Sequence, residues 1–171
     1  MQHGSAGIGY LRLSGTDACN SDGGMFNNIF PTTSVFGVGV NGYSVNDTSA
    51  GYVAYLFAEI ESFSSFRSYT GNGSADGPFI FTNFRPAWIL IKRIDASGNG
   101  WNLYDNKRDT YNVADAYIQP NTSAAESTFT TLDILSNGFK IRSNNSAYNT
   151  SGGTYIYMAF AENPFKYSNA R

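Results

Sequence analysis

His3 is the single histidine of this 171-residue chain, so acid–base or metal chemistry would have to be built almost wholly from 13 Asp and Glu residues. A zinc hydrolase needs paired histidines, and a nucleophilic triad needs a histidine held between a hydroxyl and a carboxylate. Neither pattern occurs. The glycines of GNGSADG, residues 71–77, lack the Lys-Ser/Thr ending and the following helix of a phosphate cradle. They read as a linker turn. Asp105, Asp109 and Asp115 lie close to Lys107 and Arg108. Such carboxylates could supply oxygens to calcium. DNKRD is not an EF-hand loop, however, and a solvated turn with surface ion pairs is the simpler expectation. Glu59 and Glu162 end two similar apolar stretches, with Arg67, Lys166 and Arg171 nearby as ion-pair partners. A carboxylate pair on a β-sandwich would suit glycosidic-bond chemistry if the two faced each other, but ends of duplicate strands need not do so. No catalytic residue, cofactor or metal ligand is expected.

Tyrosines offer a different chemistry. Tyr43, Tyr69, Tyr104, Tyr111 and Tyr148 lie in or near turns rich in Asn and Asp. Exposed aromatic faces beside amides suit recognition of sugars or of protein surfaces. Tyr43, Tyr104, Tyr111 and Tyr148, with Asn144, are therefore the ligand or adhesion candidates. The competing reading is that these rings only cover the ends of a sandwich.

The elements that would position such residues are mostly strands. Charged residues are 14% of the chain against roughly 25% in an ordinary domain. Twelve Tyr, 13 Phe and 18 Gly, with much Asn, Ser and Thr, suit many strands joined by tight turns. A net charge of −2 argues against a nucleic-acid-binding or polybasic membrane surface. The longest apolar run, YIYMAFA, is too short to span a bilayer as a helix. MQHGSAGIGY has no apolar core of a signal peptide. Cys19, the one cysteine, can form no internal disulfide and reads as a small buried hydrophobe.

FKIRS alternates, with Phe139 and Ile141 on one face and Lys140 and Arg142 on the other. PAWILIKR carries apolar residues on both faces and begins with a proline, which a strand start allows. GNGWNLYD reads as its antiparallel partner after a turn over 95–100. TYIYMAFA is apolar on both sides and bounded by Gly-Gly and Asn-Pro, as suits a central strand covered twice. YVAYLFA, residues 52–58, reads the same way. Strands are also expected at Tyr117–Gln119 and, with a short helix as the rival, at Phe129–Leu135.

Those two apolar stretches belong to a longer echo. FGVGVNGYSVNDTSAGYVAYLFAE, Phe36–Glu59, aligns without a gap on FKIRSNNSAYNTSGGTYIYMAFAE, Phe139–Glu162, at an offset of 103. Each copy reads as strand, polar turn, strand. The expected organisation is an internally duplicated antiparallel β-sandwich, jelly-roll-like, with an incomplete first unit. Residues 1–66 would be the back half of a first repeat, 67–78 a Gly-rich connecting loop and 79–171 a complete second repeat. A half-finished sheet presents edges that invite another chain.

YVAYLFAEIESFSSFRSYTGNGSADGPFIFTNFRPAWILIKR resembles a family of tail-fibre-like and other virion-associated proteins of marine bacteriophages, including cyanophages. WNLYDNKRDTYNVADAYI, NTSAAES, LDILSNGFKIRSNN and SGGTYIYMAFAENPFKY carry the same resemblance, which runs from about Tyr10 onward. It implies a laminin-G-like or concanavalin-like jelly-roll module of a virion surface. It also implies a homo-oligomer, with trimers favoured, or contacts with other virion proteins, and possible adhesion to a host-surface glycan. No nucleic acid or membrane insertion is implied. A secreted carbohydrate-binding module and a polysaccharide-degrading enzyme are the alternative functions.

Overall fold

Residues 9–21, 23–39 and 45–165 are described by a computed structural model. The chain divides into two compact units. One comprises residues 1–11 and 19–57, the other residues 12–18 and 58–171. The break thus precedes the first strand of the sandwich, whereas the sequence suggested one in the loop at 67–78.

Eight strands are described in the second unit: β1 (Ser64–Thr70), β2 (Phe79–Phe81), β3 (Pro86–Arg93), β4 (Asn102–Asp105), β5 (Ala114–Tyr117), β6 (Ser127–Leu135), β7 (Gly138–Ile141) and β8 (Thr154–Ala161). They form two antiparallel four-stranded sheets, ordered β1-β8-β3-β4 and β2-β7-β6-β5. This is the expected all-β antiparallel sandwich. β3 pairs with β4 from Trp88↔Asp105 to Ile91↔Asn102, as the sequence suggested. No helix among the described residues is long and apolar enough to cross a membrane.

Period-two alternation explains the core. Ile89 and Ile91 of β3 and Tyr155, Tyr157 and Ala159 of β8 point inward from one sheet. They meet Ile80, Leu132, Ile134, Phe139 and Ile141 of the other. Phe139 contacts Tyr157 edge-on across the two layers, with centroids 5.3 Å apart. Lys140 is half-buried and Arg142 exposed, so FKIRS behaves as its pattern dictates.

TYIYMAFA is a central strand, between β1 and β3. Its second face is less covered than expected: Ile156, Met158 and Phe160 are half-buried. There the Phe160 ring packs on Phe66 and Trp88, both at 5.6 Å, and on Phe63 at 6.1 Å. Neighbouring strands of its own sheet thus supply much of the shielding.

Two expectations are corrected. β7 and β8 do not form a hairpin, because they lie in different sheets. Residues 142–153 cross between the layers and bring β8 between β1 and β3, where it has ladders on both sides. In the earlier of the two similar stretches, Phe36–Glu59, no strand is assigned among the described residues. The apolar pattern of 52–58 matches that of β8, but no bridge is assigned there, and a strand is buried only with ladder partners beside it.

The two sides of the sandwich differ. Beside β4 and β5 the sheets are stitched by reciprocal backbone bonds between Leu103 and Ile118, at 2.9 and 3.1 Å. On the other side β1 and β2 are the outermost strands of their sheets. The Gly-rich loop between them is docked rather than loose. Asn149, fully buried, accepts from Asn72 N–H (2.7 Å) and donates to Asn72 Oδ1 (2.9 Å) and the Ser74 carbonyl (2.7 Å). Only glycine fits at position 71, where an added Cβ would sit 2.2 Å from the Thr150 carbonyl oxygen.

The first unit, described by itself, holds a bridge between Tyr10 and Asn20 and the four-residue helix α1 (Gly23–Phe26). Gly39 N–H donates to the Met25 carbonyl at 2.7 Å, and Met25 is buried. Cys19, expected in a core, is half-buried beside the bridge.

Candidate functional site

Three of the tyrosines singled out from sequence are core residues. Tyr69, Tyr104 and Tyr148 are buried, and the last two meet: their hydroxyls lie 2.8 Å apart. Tyr104 also bonds Thr131 Oγ1 at 2.9 Å, and Thr131 donates to the Phe129 carbonyl at 2.7 Å. Each hydroxyl has one proton. The assignment that uses all three runs Tyr148 to Tyr104 to Thr131 to Phe129. Tyr69 donates to the Tyr148 carbonyl at 2.8 Å and stacks on Tyr155. Burial pushes the Tyr148 phenol up to about 12, and burial drives those of Tyr69 and Tyr104 well above their ordinary range. Tyr104 and Tyr148 therefore present no face to a ligand. Their neighbouring Asn and Asp residues mark turns, and the rings reach inward from strand β4 and from the crossing 142–153.

Tyr111 is 86% exposed in the loop after β4, and Asn144 is exposed in the crossing 142–153. Tyr43 lies outside the described residues. The acidic turn behaves as ion-pair chemistry suggested. Asp105 pairs with Arg108 at 2.8 Å, and Arg108 also pairs with Glu126. Asp109 accepts the N–H groups of Asp115 and Ala116 at 2.9 and 2.7 Å. Among the described residues no group of three or more His, Cys, Asp or Glu side chains converges as a metal site would require. Glu59 pairs with Arg67 at 2.5 Å, as the sequence suggested. Glu162 pairs with Arg85 at 2.9 Å, a partner sequence reasoning missed.

A surface of another kind surrounds residues 45–60. Asp47–Ala50 is a turn in which Ala50 N–H donates to the Asp47 carbonyl at 3.3 Å. Asp47 N–H donates to the Tyr52 hydroxyl at 2.9 Å. Residues 150–155 make the same two bonds at the offset of 103: Gly153 N–H to the Thr150 carbonyl, 2.9 Å, and Thr150 N–H to the Tyr155 hydroxyl, 2.8 Å. After the later turn the chain enters β8. After the earlier one it enters 51–59, where no strand is assigned. Val53, Tyr55 and Leu56 there are 80%, 81% and 73% exposed, and Tyr52 and Ile60 are exposed as well.

The chain then makes a tight reversal into β1. Ile60 and Ser64 exchange backbone bonds at 3.3 and 2.9 Å. Ser64 Oγ donates to the Ala58 carbonyl at 2.9 Å and accepts from Ile60 N–H at 3.1 Å. Ser62 adopts φ 60°, the left-handed conformation that permits so sharp a turn. An open cleft of about 460 Å³ lies beside it, lined by Glu59, Glu61, Arg67, Phe81 and Asn83 among others. On β2, Phe79 and Phe81 are exposed around a buried Ile80. The open side of the sandwich therefore combines an outermost strand, a cleft and apolar rings.

No curated protein and no solved structure matches the chain. A family model does match residues 1–164. The chain belongs to that family, described as Domain of unknown function (DUF7483).

Proposed function

We propose that this protein is a structural module of a virion surface or tail fibre that works by assembling with further copies of itself. The observation that carries the proposal is the run of exposed apolar side chains from Tyr52 to Ile60. Among the described residues, the core cluster of the sandwich comprises residues between 69 and 161 and includes none of these side chains. Contiguous apolar surface of this kind marks an interaction site rather than chance exposure. Trimers, favoured by the resemblance to phage fibres, are the expected assembly. The adhesion arm of the proposal rests on Tyr111, whose ring stands in solvent beside the polar loop after β4.

Sedimentation velocity of the full chain over a range of concentrations tests the assembly. A species several times the 18.6 kDa of one chain is expected. A monomer at the highest concentration sinks the reading. A glycan array with Tyr111→Ala as control tests adhesion separately, with binding lost in the variant as the expected result.

A further inference from the structure

We infer that residues 51–57 are a β-strand that pairs with the outer edge of β1 in a second copy of this chain. The inference rests on the assembling role proposed above and names its contact.

The turn Asp47–Ala50, closed by the Tyr52 hydroxyl, repeats the turn that launches β8. The sequence that follows, GYVAYLFAE, repeats TYIYMAFAE in size and polarity. Tyr, Val, Leu and Phe at these positions favour a pleated, partly buried surface. Yet Val53, Tyr55 and Leu56 stand in solvent, and no bridge is assigned over 51–59. This is a strand by sequence and by launch geometry, without a sheet.

Ser64 exchanges backbone bonds with Ile60, so its N–H and C=O point away from β8. In an antiparallel ladder that direction alternates along the strand. β1 and β8 keep an unbroken register from Ser64↔Phe160 to Thr70↔Thr154. The backbone groups of Ser68 and Thr70 therefore point the same way as those of Ser64, toward the outside of the sheet. Both residues are exposed. An outermost strand with outward N–H and C=O groups is a template for strand addition. On its inner side β1 already takes β8, the strand that 51–59 repeats.

The reversal at 58–64 says which copy supplies the donor. Continuing the Ile60↔Ser64 ladder within one chain would direct the Ala58 carbonyl toward Phe66. It is instead held by Ser64 Oγ at 2.9 Å. The intrachain ladder ends after a single bridge. A segment from a second copy meets no such constraint. The contact joins two different surfaces, so it is either made reciprocally in a twofold dimer or repeated head to tail as a ring or filament.

The test uses full-length chains in a Cys19→Ser background. One set carries Ser68→Cys. The other carries Tyr52→Cys, Val53→Cys, Ala54→Cys, Tyr55→Cys or Leu56→Cys, one at a time. Sets are mixed in pairs, oxidised and run on non-reducing gels. Directly opposed residues approach within disulfide range and their neighbours point to the other face. Cross-linking between copies is therefore expected to alternate, strong at every second donor position. Tyr55→Lys combined with Leu56→Lys, both at exposed sites, is expected to reduce the oligomer to monomer with an unchanged circular dichroism spectrum. An oligomer with no alternating cross-link overturns this contact and leaves the assembling role standing. Cross-links found only within doubly substituted single chains overturn it in favour of intrachain closure. A wild-type monomer overturns both.

Discussion

Tyr104→Phe removes the middle member of the buried hydroxyl relay and leaves its two ends. Tyr104 and Thr131 are fully buried, and Tyr148 is 3% exposed. Without the Tyr104 hydroxyl, the Tyr148 proton loses its acceptor and Thr131 loses its donor. Orphaning a buried polar partner costs about 1–3 kcal/mol, so a loss of about 2 kcal/mol is expected. Tyr148→Phe removes only the terminal donor. Tyr104 still bonds Thr131, and the Phe129–Tyr148 stacking is kept by the phenyl ring. That change is expected to cost about 1 kcal/mol. In the double variant the second substitution removes a group that the first had already orphaned. The two costs should therefore fall short of adding by about 1 kcal/mol. Urea unfolding of the four proteins, with equal slopes, measures this cycle. Strict additivity, or a Tyr148→Phe cost equal to that of Tyr104→Phe, would refute the relay as assigned.

Alkaline pH should unfold the protein along a defined path. An unfolded tyrosine ionises near pH 10, whereas burial pushes Tyr148 up to about 12 in the fold and Tyr104 higher. Their contribution is complete below about pH 10 and is lost as pH rises toward and beyond 12, at roughly 1 kcal/mol per pH unit for each tyrosine. Urea midpoints that stay level between about pH 9 and pH 11 would contradict this. Asn112→Ala should cost about 1–3 kcal/mol, because the Asn112 amide accepts from Ile134 N–H at 2.8 Å and donates to its carbonyl at 3.0 Å, serving β6 as a strand would; a thermal midpoint equal to wild type counts against it. Tyr155→Phe should destabilise by about 1–3 kcal/mol, since that buried hydroxyl takes Thr150 N–H and gives to the Ser146 carbonyl. Tyr52→Phe, at a half-exposed ring, should change monomer stability by less than about 0.5 kcal/mol; equal effects would show that the two turns are loaded alike.

Patterns confined to one strand were legible in the sequence. FKIRS declared its faces because alternation of two apolar and two basic residues has only one buried solution. PAWILIKR and GNGWNLYD declared their pairing because a short polar turn leaves antiparallel neighbours little choice. TYIYMAFA declared a central place through its apolar faces. What one strand cannot declare is which sheet it joins. The polar run 142–153 looked like a hairpin turn, and nothing local says that it crosses between layers. The same limit applies to YVAYLFA. Its pattern is that of a buried strand, but burial needs neighbours, which a pattern within one segment does not supply. The tyrosines failed for another reason. A ring beside Asn and Asp can stand in solvent, as Tyr111 does, or turn inward and satisfy its hydroxyl there, as Tyr104 and Tyr148 do. Composition around the residue is the same in both cases, and only the strand's facing decides.

Amide hydrogen exchange of the peptide spanning residues 51–59 tests the central claim most directly. At concentrations where the full chain is oligomeric, the amides of this segment should exchange far more slowly than in the Tyr55→Lys, Leu56→Lys variant, because ladder bonds protect them. The peptide covering β1 should gain protection in the same assembly. Exchange of 51–59 at the rate of an open chain, in a protein that sediments as an oligomer, would contradict the account.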